Sequence, residues 1–161
     1  MTQINAVFTI HKLEEDAWDV DVDVQNHDDQ LAECLRLDDV NNLTSFGYSQ
    51  DIFLLAYCLE QRAYKCAQYT LHHMTSSNFT QKNALPLLLL AMGNGSGSAP
   101  VELIDEIIQK CCENRVKLHK LTWIDKNNDL NHVISRQAIL TGNMDVLQLL
   151  WGKYDRYFVL Q

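Results

Sequence analysis

Little in this sequence breaks regular structure: its 161 residues include two prolines, Pro86 and Pro100, and six glycines, three of them crowded into Gly93–Gly97. That composition excludes collagen-like and Pro/Gly-rich disordered chains. Long apolar runs are also missing. The longest, Leu85 to Met92, is eight residues and carries Pro86, far short of the ~20 residues that span a bilayer. No basic-then-apolar stretch opens the chain, so no signal peptide is expected and a cytoplasmic location is, although specialised secretion leaves no such mark. The five cysteines (Cys34, Cys58, Cys66, Cys111, Cys112) show no C-x-x-C spacing. Their odd number and apolar surroundings point to reduced, buried thiols. Nucleic-acid binding is disfavoured, because no basic stripe interleaved with aromatics occurs.

What is there is a globular balance, with 47% hydrophobic and 21% charged residues. The length suits one domain with a core of its own. The net charge of −8 is confined to one end. Residues 1–40 carry eleven acids against Lys12 and Arg36, a net of −9, whereas the rest holds ten acids and eleven bases, a net of +1. Such a field repels nucleic acid and favours a basic partner.

The first 26 residues alternate. Ala6, Phe8 and Ile10 point one way and Val7, Thr9 and His11 the other; after Glu14-Glu15-Asp16, Trp18, Val20, Val22 and Val24 alternate with Asp19, Asp21 and Asp23. Period-two patterning of β-branched and aromatic residues marks half-buried strands, so an acidic β-hairpin is expected over 1–26. Its second strand places three aspartates on one face, with Trp18 assigned to the core.

From His27 the period becomes helical. Short helices are expected around Leu31–Leu37, over 50–60 and 62–73, through the apolar 84–92 segment, and from Pro100 through Ile108. The section 116–131 suggests an extended excursion around Leu121–Ile124, followed by helices over 132–140 and 144–152 astride Gly142. The apolar tail, 153–161, is expected to pack on the last helix. Short helices in pairs, each unable to bury its apolar face alone, are the pattern of a stacked repeat protein.

Ala138-Ile139-Leu140-Thr141-Gly142-Asn143-Met144-Asp145-Val146-Leu147-Gln148-Leu149-Leu150 fits the helix–glycine turn–helix block of the ankyrin repeat. Asp39-Val40-Asn41 followed by Gly47-Tyr48-Ser49 is similar to that family's linker and next-repeat start, and Leu85-Pro86-Leu87 to its T-P-L step. The chain thus resembles an ankyrin-repeat protein over about 27–152, in degenerate repeats. The resemblance implies a mainly α fold of stacked helix pairs, recognising partners along a concave surface of linker tips and first helices.

The motifs that suggest chemistry have plainer explanations. Gly93-x-Gly95-x-Gly97 has its third glycine one residue early for a dinucleotide loop and follows a run containing Pro86. Asp19-x-Asp21-x-Asp23 lacks the glycine and closing glutamate of a calcium loop, having Val24 and Gln30 there. The six histidines and five cysteines show no zinc spacing. No nucleophile-elbow motif occurs. No cofactor, metal or enzymatic activity is expected. The expected function is a non-catalytic protein-interaction module, an inhibitor, immunity-type or adaptor protein that binds a basic partner through Glu14, Glu15, Asp16, Asp19, Asp21 and Asp23. The alternatives are a secreted host-directed effector, a hairpin that only caps the stack, and an unrecognised enzyme.

Overall fold

A computed structural model describes residues 2–12, 18–75, 78–93, 98–118, 122–124 and 130–154. Among these, β1 (Ala6–Lys12) and β2 (Trp18–Val24) form the expected antiparallel hairpin. Eight helices follow: α1 (Asp29–Arg36), α2 (Val40–Ser45), α3 (Ile52–Glu60), α4 (Tyr64–His73), α5 (Gln81–Met92), α6 (Val101–Glu113), α7 (Val133–Leu140) and α8 (Met144–Gly152). A second antiparallel pair, β3 (Thr122–Ile124) and β4 (Leu130–His132), precedes α7. The fold is mainly helical behind a two-stranded hairpin.

Helix starts follow from short polar side chains that occupy orphan N–H groups. Asp28, Asp39, Asp51, Thr80 and Asn143 each accept hydrogen bonds from the first turns of α1, α2, α3, α5 and α8. Within three of the pairs, one residue in the left-handed region reverses the chain: Asp38 (φ 51°), Arg62 (φ 58°) and Gly142 (φ 66°). Glycine takes that conformation without penalty; aspartate and arginine do so at some cost. Asp38 offsets the cost by bridging pairs. Its carboxylate accepts from the N–H groups of Lys65 (3.0 Å) and Cys66 (2.9 Å), capping α4, whose own cap position, Ala63, has no side-chain acceptor.

The helices pack as α1·α2, α3·α4, α5·α6 and α7·α8. The first helices α3, α5 and α7 also pack in series, as do the second helices α2, α4, α6 and α8. The hairpin lies on the other side of the first helices, β2 against α3 and α5. This layering explains two sequence oddities. Second helices such as α4 and α6 bury one stripe only, Cys66, Ala67, Thr70 and Leu71 in α4, and Leu103, Ile104, Ile107, Ile108 and Cys111 in α6. In contrast, α3 buries seven of its nine residues, and α5 buries every residue from Ala84 to Met92 except Leu90, because a helix covered on both sides is apolar all round. One connected core runs from Ile4 to Tyr154.

The structure departs from the sequence pattern, or sharpens it, at four places. Asp39-Val40-Asn41, matched to a repeat linker, instead caps and opens α2, Asp39 accepting from the Asn42 N–H. Pro86, matched to a helix-opening proline, lies inside α5, which Thr80 starts earlier. The hairpin lies across several helix pairs: β2 packs on α3 and α5, and Trp18 bonds to Gln137 of α7. The extended excursion near 121–124 is β3, paired with β4. Of the tail, Lys153 and Tyr154 are described: both bond to Asp105 of α6, Lys153 at 2.9 Å. The expected packing of 155–161 lies outside the described residues, as does the hairpin tip with Glu14, Glu15 and Asp16.

Candidate binding face

The hairpin register sets Asp23 opposite Val7, Asp21 opposite Thr9 and Asp19 opposite His11. Trp18, Val20 and Val22 turn inward and are buried, with Phe8 stacking on Phe53 of α3 at 5.7 Å between ring centroids. Strand alternation therefore puts the three aspartates in one row on the outward face. Asp21 and Asp23 are exposed and Asp19 half-exposed. Their contacts are local. The His11 Nε2 lies 2.5 Å from Asp21, the Val20 N–H donates to Asp19 at 3.0 Å, and the Gln25 amide donates to Asp23 at 3.0 Å. Among the described residues, no lysine or arginine pairs with any of the three.

The other described acids of the first forty residues have structural tasks or local partners. Asp28, Asp38 and Asp39 cap helices. Glu33 pairs with Arg36, which holds its carboxyl below the usual range. Asp28 is lowered chiefly by the Tyr48 hydroxyl that donates to it. Asp29 meets His27 at 2.8 Å. Asp19, Asp21 and Asp23 have local partners too, and differ in lining up side by side on one outward strand face.

Beneath that row, the free edge of β2 is closed by side chains. The fully buried Gln137 accepts from the Trp18 N–H and donates to the Trp18 carbonyl, both at 2.8 Å, and also donates to the Gly93 carbonyl at 2.7 Å. Glu60, the last residue of α3, accepts from the Val22 N–H at 2.9 Å. Partial burial pushes the Glu60 carboxyl up; the Val22 bond opposes this, and Asp21 and Asp19 add to it. Glu60 thus extends the negative field of the row.

Sequence reasoning brought Asp19, Asp21 and Asp23 together and placed Trp18 in the core, as found. It missed Glu60 and Gln137. Glu60 carried a signal: it is the one acid in an apolar helix, at the C-terminal end, where the helix dipole disfavours negative charge. Gln137 carried none, since its partners lie 119 and 44 residues away.

An open cleft of about 450 Å³ between α1 and α2 is lined by Asp29, Gln30, Glu33, Cys34, Leu37, Asn42 and Phe46. Its thiol is a poor nucleophile: Cys34 donates to the Asp39 carbonyl at 3.0 Å, and burial raises its pKa. Among the described residues, no three His, Cys, Asp or Glu side chains converge as metal ligands, and no helix is long and apolar enough to cross a membrane. No family model, curated protein or solved structure matches this chain.

Proposed function

We propose that the protein is a non-catalytic interaction module, of inhibitor, immunity or adaptor type, that captures a basic partner protein on the outer face of its hairpin. The observation that carries this is the row Asp19, Asp21 and Asp23, kept adjacent and without lysine or arginine partners among the described residues. Carboxylates held side by side on a strand repel one another, and a basic surface relieves that repulsion. Electrostatic capture of this kind speeds encounter and weakens with salt.

The scaffold reading is an ankyrin-like stack of helix pairs. The serial packing of first helices on first helices and second on second supports it. In such a scaffold the first helices form the usual recognition surface, and here the hairpin lies over α3 and α5. Recognition on this side therefore passes to the outer face of the hairpin. Neutralising Asp19, Asp21 and Asp23 to asparagine tests the reading: partner capture is lost while the circular dichroism spectrum stays unchanged. Capture that survives neutralisation assigns the hairpin to covering the helices and moves the binding site elsewhere.

A further inference from the structure

The two edges of the hairpin are treated differently. In an antiparallel ladder, residues whose N–H and C=O face the partner strand alternate with residues whose groups face away. Trp18 and Val22 face away from β1, since their N–H groups bond to Gln137 and Glu60. Asp19, Asp21 and Asp23 therefore face β1 and bond to His11, Thr9 and Val7. By the same alternation, the backbone groups of Ala6, Phe8 and Ile10 point out from the far edge of β1. Among the described residues, no hydrogen bond from the N–H groups of Ala6, Phe8 or Ile10 is present.

Proteins usually guard such an edge with proline, inward charge, a bulge or a covering element. β1 contains no proline, and its one lysine, Lys12, stands at the end of the strand, leaving Ala6 to Ile10 without a charged residue. Side chains close the β2 edge at Trp18 and Val22, whereas among the described residues the β1 edge is left as a pairing template.

We infer that the β1 edge accepts an extended segment of the partner as an added strand, and that this segment alternates apolar and basic residues. The inference rests on the acidic-face reading and adds its geometry. Strand addition supplies affinity through main-chain bonds and specificity through alternate side chains. A strand beside β1 puts one set of side chains next to half-buried Ala6, Phe8 and Ile10, which calls for apolar residues. The other set emerges on the outer face about 10 Å, two strand spacings, from the aspartate row. Lysine or arginine reaches across that gap above Val7 and Thr9. A second copy of the chain is the weaker occupant, because each copy carries a net charge of −8.

The test uses the full chain and three capped heptapeptides of alternating Lys–Val, Lys–Pro and Glu–Val, followed by amide hydrogen exchange. Lys–Val slows exchange at Ala6, Phe8 and Ile10. Lys–Pro, with equal charge but without the pairing N–H groups, does not, and Glu–Val does not bind. In protein assembled by ligating synthetic 1–33 to Cys34, N-methylation of Phe8 and Ile10 removes two donors and weakens Lys–Val binding roughly tenfold. Equal binding of Lys–Val and Lys–Pro with unchanged exchange at β1 overturns strand addition and leaves the acidic face standing. Failure of every basic peptide to bind overturns both. Dimerisation of the chain alone in sedimentation, abolished by the same N-methylation, assigns the edge to a second copy and overturns the partner segment.

Discussion

The side-chain amide of Gln137 occupies the place of a neighbouring strand for Trp18, accepting from its N–H and donating to its carbonyl, both at 2.8 Å. Through this one residue, α7 fixes the start of β2 across 119 positions of sequence. The consequence is a hairpin bound to the helices by backbone bonds as well as by apolar burial.

Replacing Gln137 with leucine keeps the volume but leaves the Trp18 N–H, the Trp18 carbonyl and the Gly93 carbonyl without this partner. Each buried polar group left unpaired costs about 1–3 kcal/mol, so urea denaturation should show a loss of about 3 kcal/mol or more. Amide exchange at Trp18 should rise in parallel. Unaltered stability would show that other groups or water hold this edge.

Trp18 and the aspartates make opposite predictions. Trp18→Ala removes a fully buried side chain and should cost about 3–5 kcal/mol. The triple change of Asp19, Asp21 and Asp23 to asparagine should leave stability unchanged or raise it by a few tenths of a kcal/mol, by relieving like-charge repulsion. Thermal melts at low and high salt separate the two, because only the aspartate effect shrinks with salt.

Glu60 makes stability depend on pH. Its folded-state pKa lies above the ordinary glutamate value because of partial burial, the Asp21 and Asp19 charges adding to the rise. With both states protonated at low pH there is no penalty. As pH rises through the ordinary value and then the raised one, the unfolded chain loses its proton first and unfolding is favoured. Glu60→Gln retains an acceptor for the Val22 N–H and removes the titration. Its advantage over the parent in urea midpoint should grow from pH 4 to pH 7; an equal difference at both would contradict the assignment.

Asp38 combines a left-handed backbone with a cap for α4. Asp38→Ala loses the cap and keeps the strain, and should cost about 1–2 kcal/mol or slightly more. Asp38→Gly loses the cap but relieves the strain. Asp38→Asn retains an acceptor and tolerates the backbone. The predicted order of denaturation midpoints is Asp, Asn, Gly, Ala.

The hairpin was legible because its period-two pattern is local, and α6 and α8 because each buries one stripe. The start of α5 was not, since Pro86 suggested a helix opening that Thr80 makes earlier through its side-chain cap. Asp39-Val40-Asn41 matches a linker in sequence because Val40-Asn41-Asn42-Leu43 carries little helical periodicity and its helix depends on the Asp39 cap. The position of the hairpin over α3 and α5 had a trace in the sequence, the lack of amphipathicity in those two helices. The acidic row could be seen from alternation alone. Its support by Glu60 and Gln137 could not, because those contacts join residues 38 and 119 positions apart.

The row Asp19, Asp21 and Asp23 is proposed to hold a basic partner. The most direct measurement immobilises the parent chain and its triple asparagine variant, passes extract of the source cells over both at low and high salt, and identifies what is retained. The expected result is a basic protein retained by the parent at low salt, released at high salt and absent from the variant. Equal retention by both, or a retained protein indifferent to salt, would contradict it.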